Sequence, residues 1–69
     1  MLGTKTLIQV LEDLIGHQIA IAKSAEVLAL RETNPHNLRE IQNIAQHSKA
    51  AKEKAAALRG QVKREDKSR

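Results

Sequence analysis

The sequence contains no cysteine, tryptophan, tyrosine or phenylalanine, and it has only three glycines and one proline in 69 residues. The absence of cysteine excludes disulfide bonds and thiolate metal sites. The absence of aromatic rings removes the largest side chains from any core, and a domain of this size buries only about 60% of the surface of its unfolded chain. We therefore expect one small domain that is marginally stable as a monomer.

Long hydrophobic runs are also absent. No apolar segment approaches the roughly 18 to 20 residues that a membrane-spanning helix needs. Residues 7–15 lack the cationic start and the small-residue exit of a signal peptide. We therefore expect a soluble, cytoplasmic protein with no membrane partner.

Side chains with catalytic or metal-binding chemistry are few and poorly spaced. None of the three histidines, His17, His36 and His47, has another histidine three or four residues away, so a zinc site is not expected. The carboxylates of Glu12 and Asp13 are consecutive, and consecutive side chains of a helix point in different directions. With no glycine-rich phosphate loop either, we predict no enzymatic activity, no cofactor, no metal and no small-molecule substrate.

The sequence does contain two amphipathic segments separated by one break. Asn34 suits a helix N-cap, and Pro35 suits the first helical position, where its missing N–H and fixed φ cost nothing. Because the residue before a proline is disfavoured in the α region, the first helix should end near residues 31–32. The connection of two to four residues is so short that the helices must be antiparallel neighbours.

These signals predict an all-α fold, a two-helix antiparallel hairpin over residues 1–60. Helix 1 should cover about 4–32 with Thr4 as its cap, and helix 2 about 35–59 with Gly60 just beyond its C-terminus. Residues 61–69 have one apolar side chain among many charges, which predicts a basic, frayed or disordered tail.

The apolar stripe of helix 1 is broader than that of helix 2. Helix 1 repeats Leu7, Leu14, Ile21 and Leu28 at seven-residue spacing, and the whole stripe covers about half of the circumference, more than one neighbouring helix can bury. Helix 2 has a narrower stripe in which small residues allow close approach. Folding the hairpin at the break predicts these layers: Leu28 with Leu38, Ile21 with Ala45, Gln18 with Ser48, Leu14 with Ala51, and Leu7 with Leu58.

The excess apolar surface of helix 1 predicts self-association. A two-fold homodimer of hairpins would form a four-helix bundle and supply the burial that one chain lacks. The Gln18 and Ser48 layer is interpreted as a polar layer that fixes the register or the orientation, although the same face could instead open for a partner helix. The predicted dimer interface consists of Leu7, Leu11, Leu14, Ile15, Gln18, Ile21, Ala22, Ala25 and Leu28.

Positive charge is concentrated in the last third of the chain. Residues 1–48 carry a net charge of −1 and residues 49–69 a net charge of +5. Such a segment can attract nucleic acid, but the missing aromatics and the missing helix-turn-helix make that partner less favoured. This basic patch comprises Lys49, Lys52, Lys54, Arg59, Lys63, Arg64, Lys67 and Arg69.

The favoured function is therefore binding to another protein. Exposed aliphatic and cationic side chains near the turn would provide its anchors. The partner-binding candidates are Val27, Leu30, Arg31, His36 and Arg39. The alternative is an accessory nucleic-acid-binding protein that acts through the basic patch.

In its length, its paired heptad segments and its Thr33-Asn34-Pro35 turn, the chain resembles the small dimeric helical-hairpin regulators of temperate phages, including anti-activators of the anti-quorum-sensing type. The resemblance covers residues 4–60 and is one of layout, so no functional residue is carried over. It implies a homodimeric regulator or inhibitor of a host transcriptional regulator or ATPase. The chain is also similar in size to a hairpin protein of the large ribosomal subunit, but it lacks that protein's basic RNA-facing surface.

Overall fold

The computed structural model describes residues 3–67, which form two α-helices, α1 (Thr4–Arg31) and α2 (Pro35–Lys67). Placed end to end, helices of 28 and 33 residues would extend for about 90 Å. The chain measures 53 × 17 × 14 Å, because α2 folds back along α1 and packs against it. The prediction of an all-α helical hairpin is confirmed.

Side chains on both sides of the turn fix the connection between the helices. The Asn34 side-chain oxygen Oδ1 accepts the backbone N–H of His36 at 2.9 Å and that of Asn37 at 3.3 Å. The Glu32 carboxylate accepts the backbone N–H of Asn34 at 2.9 Å. Asn34 is therefore the N-cap of α2 and Pro35 its first residue, as the sequence predicts.

The outer ends of the helices differ from the predicted boundaries. Gly3 takes the N-cap position of α1, with φ −67° and ψ 157°, and Thr4 is already helical, so Thr4 is not the cap. Helix α2 does not stop at residue 59 but continues through Gly60 to Lys67. Over 61–67 the chain is therefore helical where a frayed tail was expected, while 68–69 lie outside the described residues.

Continuation beyond Gly60 has a local physical explanation. A glycine inside a helix costs only about 1 kcal/mol relative to alanine, and no glycine in residues 3–67 has a positive φ. Beyond it, the Gln61 side-chain amide donates to the Glu65 carboxylate at 2.9 Å, one helical turn away. Val62 is half-buried, so this last part of α2 still packs against the rest of the hairpin.

The helices meet along a seam of small side chains. Residues Ala25, Ile41 and Ala45 form its core cluster, with Ala29 packed against them. Seam positions alternate three and four residues apart, as in a coiled coil. The buried members are Leu11, Ala22 and Ala25 of α1 and Ile41, Ala45, Ser48 and Ala55 of α2.

This seam is not the one that the seven-residue leucine row predicts. Leu14, Ile21 and Leu28 are 41%, 44% and 54% exposed, so the predicted layers that place them against α2 are wrong. Both rows belong to the broad stripe of α1, and α2 covers only one of them. The neighbouring row, with two alanines in its centre, permits the closer approach of the helices.

Candidate interaction surface

One side of the hairpin carries an open patch of large aliphatic side chains, here called the apolar face. On α1 it includes Leu14, Ile21 and Leu28 of the uncovered heptad row together with Val10, and its two α2 members lie fourteen residues apart on one side of that helix. Ile21 and Leu28 of α1 line one concavity together with Ile41 and Ile44 of α2, which shows that both helices contribute to the same surface. The exposed residues of the apolar face are Val10, Leu14, Ile21, Leu28, Ile44 and Leu58.

The opposite side of the hairpin is polar and is here called the charged edge. The Lys49 ammonium lies 2.9 Å from the Glu26 carboxylate, and the Lys63 ammonium lies 3.8 Å from the Glu12 carboxylate. Both pairs join α2 to α1, and within each helix the two members are fourteen residues apart, which keeps them on one side. Such exposed pairs contribute little to stability, but they show which side of the hairpin carries charge.

The predicted dimer interface divides into three groups in this structure. Leu11, Ala22 and Ala25 are buried against α2, so they serve the hairpin itself. Leu7, Ile15 and Gln18 are half-buried, and Leu14, Ile21 and Leu28 are exposed on the apolar face.

Two residues of α2, Ile44 and Leu58, lie on the apolar face, although the predicted layers pair Leu58 with Leu7. Ile44 and Leu58 are exposed in the structure. A seven-residue spacing from 44 to 51 to 58 is the signal in the sequence that could have separated them from the seam.

The two residues of the predicted polar layer differ in their burial. Ser48 is buried and Gln18 is half-buried, and both occupy seam positions. Within residues 3–67, every buried side-chain nitrogen or oxygen has a hydrogen-bond partner.

The partner-binding candidates are all exposed near the turn. Val27 and Arg31 line one shallow concavity on α1, which Leu28 also borders. Leu30 is 87% exposed, the largest exposure among the large aliphatic side chains. His36 and Arg39 belong to the start of α2 and do not line that concavity. We refer to these five candidates as the turn end.

The basic patch does not form one continuous surface. Lys49 and Lys63 lie in ion pairs on the charged edge. Lys52 and Arg59 are half-buried at seam positions, whereas Lys54 is exposed beside the apolar face. Arg64 and Lys67 are exposed near the end of α2, and Arg69 lies outside the described residues. The cations thus lie on several sides of α2, unlike a stripe that follows a phosphate backbone.

Groups that could support other functions are scarce in the described part of the chain. Residues 3–67 contain no cluster of three or more histidine or carboxylate side chains that could hold a metal ion. Neither helix, over the same residues, has an apolar stretch long enough to cross a membrane. Comparisons with protein families, curated proteins and solved structures give no match to this chain. Its function is therefore inferred from the apolar face and the turn end.

Proposed function

We propose that this chain is a non-enzymatic regulatory protein that binds another protein and alters its activity, and that it acts as a homodimer in a four-helix bundle. The observation that carries the proposal is the contrast between the two sides of the hairpin. Six large aliphatic side chains are exposed on the apolar face, while the charged edge is bridged by ion pairs. A contiguous apolar patch with a polar surround is typical of a protein interface.

The accessible surface supports association. The chain exposes 5529 Å², whereas a compact monomer of 7.7 kDa would expose about 4300 Å². A stable protein interface buries about 800 Å² on each partner. If a second copy buries an area of this size on the apolar face, about two-thirds of the excess surface is removed.

With the apolar face used for the dimer, the turn end is the surface left for a target. Leu30 is almost fully exposed there, next to the concavity lined by Val27 and Arg31. An exposed aliphatic side chain suits a target with an apolar pocket. In line with the resemblance to small phage regulators, we expect a transcriptional regulator or an ATPase as the target.

A capture experiment with matched variants tests the proposal. The wild-type chain, Leu30→Ser and Ile19→Ser are each immobilised and exposed to a bacterial lysate, with and without nuclease treatment and at about 50 and about 200 mM salt. Ile19 is also an exposed aliphatic residue, but it lies between Glu12 and Glu26 on the charged edge. We expect one protein to be retained by the wild type and by Ile19→Ser and to be lost with Leu30→Ser.

Two outcomes contradict the proposal. Retention that disappears after nuclease treatment or at moderate salt would transfer the function to nucleic-acid binding by the basic patch. Equal retention by both variants would remove the turn end as the binding surface.

A further inference from the structure

One rim of the apolar face carries an ordered set of polar side chains. Glu40, His47 and Lys54 are exposed and follow one another on α2 at seven-residue intervals. Each lies four residues before a residue of the 44, 51 and 58 row, so the set runs beside the apolar face on the side away from the seam. The two ion pairs between the helices use other residues, Lys49 with Glu26 and Lys63 with Glu12.

Along this rim an acidic residue is followed by a histidine and then by a basic residue. A second copy that runs in the opposite direction therefore places its basic residue opposite the acidic residue of the first. A two-fold axis perpendicular to the helices brings α2 against the α2 of a second copy in the opposite direction. If the axis passes at His47, Glu40 lies opposite the partner's Lys54, and Lys54 lies opposite the partner's Glu40. Each dimer then gains two symmetric ion pairs at the edge of an apolar interface.

The position of this axis also suits the apolar face. His47 precedes the buried Ser48, which the predicted layers place opposite Gln18, and Gln18 is at the middle of α1 (Thr4–Arg31). With the axis at this level, the exposed aliphatic residues of α1 in one copy lie opposite those of α1 in the other copy over most of the helix. The large side chains of one copy would meet the apolar face of the other.

We infer that a second copy of this chain covers the apolar face in an antiparallel arrangement, with the two-fold axis at His47 and with Glu40 paired to the partner's Lys54. This inference rests on the homodimer of the proposed function and adds its orientation and register. Pro35 at the start of α2 lies about 18 Å along the helix from His47, so the arrangement places the two turn ends about 36 Å apart on opposite sides of the axis. The dimer would thus present two separated binding surfaces for its target.

Cysteine cross-linking tests the register, since the chain has no cysteine of its own. In His47→Cys the two thiols lie at the axis and should form an intermolecular disulfide under mild oxidation. In Lys54→Cys, the matched control, each thiol lies about 10 Å along the helix from the axis, so the pair is about 20 Å apart. Disulfides need Cα atoms closer than about 7 Å, and this variant should remain uncross-linked.

Charge exchange provides an independent test. Glu40→Lys and Lys54→Glu should each raise the dissociation constant of the dimer roughly three- to tenfold, because each places like charges opposite one another twice. The double variant Glu40→Lys/Lys54→Glu should return the constant to near the wild-type value. Both positions are exposed, and circular dichroism checks that helicity is unchanged in each of the three variants.

The outcomes distinguish a failure of the antiparallel register from a failure of the proposed homodimer. A wild-type chain that sediments as a dimer but cross-links through Lys54→Cys as readily as through His47→Cys, or not through either, overturns the antiparallel register and leaves the homodimer standing. Failure of the double variant to recover also overturns the register. A wild-type chain that sediments as a monomer at micromolar concentration overturns both.

Discussion

The Lys49 ammonium of α2 reaches across the hairpin to within 2.9 Å of the Glu26 carboxylate of α1. Seen along the helices, this pair lies on the side opposite Leu14, Ile21 and Leu28, which are exposed. On one side of the hairpin an ion pair therefore joins the two helices, while on the other side aliphatic side chains are exposed to solvent. The two sides of the hairpin therefore differ in chemistry, and the large aliphatic side chains lie mostly outside the contact between the helices.

Substitution of Leu14 by glutamate should separate the proposed homodimer and leave the hairpin helical. Leu14 is exposed in one chain, so the new charge costs little there, but in the dimer it would be buried without a partner. Sedimentation equilibrium should give half the wild-type mass. Ile19→Glu on the charged edge is the control and should keep the wild-type mass; an unchanged mass for Leu14→Glu would exclude the apolar face from the interface.

Removing the cap of α2 should destabilise the fold measurably. Asn34→Ala deletes the acceptor for the His36 and Asn37 N–H groups and should lower the free energy of unfolding by about 1 kcal/mol. Chemical denaturation at a fixed protein concentration measures this change in the free energy of unfolding. Asn34→Asp preserves an acceptor and should stay within a few tenths of a kcal/mol of the wild type; an equal loss in both variants would argue against capping as the cause.

Replacing Gly16 by alanine should stabilise the protein by about 0.5–1 kcal/mol. Gly16 lies inside α1, and a Cβ added there would meet no atom within 4 Å. Gly60→Ala provides a second example, because its added Cβ would only touch the flexible end of Arg64 at 3.9 Å. Thermal unfolding should show a higher midpoint for both; a lower midpoint for Gly16→Ala would indicate that a second chain packs closely against this position.

Placing a larger side chain in the seam should lower the free energy of unfolding. Ala25→Leu inserts three additional carbon atoms between α1 and α2 beside Ile41 and Ala45, and overpacking of this kind typically costs 1–3 kcal/mol. Ala50→Leu makes the same change at an exposed position of α2 and should leave stability nearly unchanged. Similar denaturation midpoints for the two variants would contradict the close approach of the helices at Ala25.

The sequence predicts the turn correctly because its signal is local. The Asn34-Pro35 pair determines which N–H groups need an acceptor and which residue can begin a helix, independently of the rest of the chain. The end of α2 is harder to predict, because the cost of Gly60 competes with contacts such as Lys63 to Glu12 that depend on the folded hairpin.

The assignment of α1 residues to the seam needs information that periodicity does not contain. Leu14 and Leu11 both belong to the broad apolar stripe, and hydrophobicity alone favours the row of larger side chains. Which row faces α2 depends on how closely the two backbones approach, which small residues such as Ala22 and Ala45 determine. For the same reason, the sequence correctly predicts an uncovered apolar surface but assigns several of its residues to the wrong contact.

The alanines of the seam have a consequence for the lifetime of the protein in a cell. Each buried methyl group contributes little transfer free energy, so most of the aliphatic surface that could hold the fold together lies on the apolar face. If that face is covered by a second copy, folding becomes second order in protein concentration. Newly made chains would then be open to proteolysis until enough had accumulated to pair, so the protein would persist only above a threshold concentration.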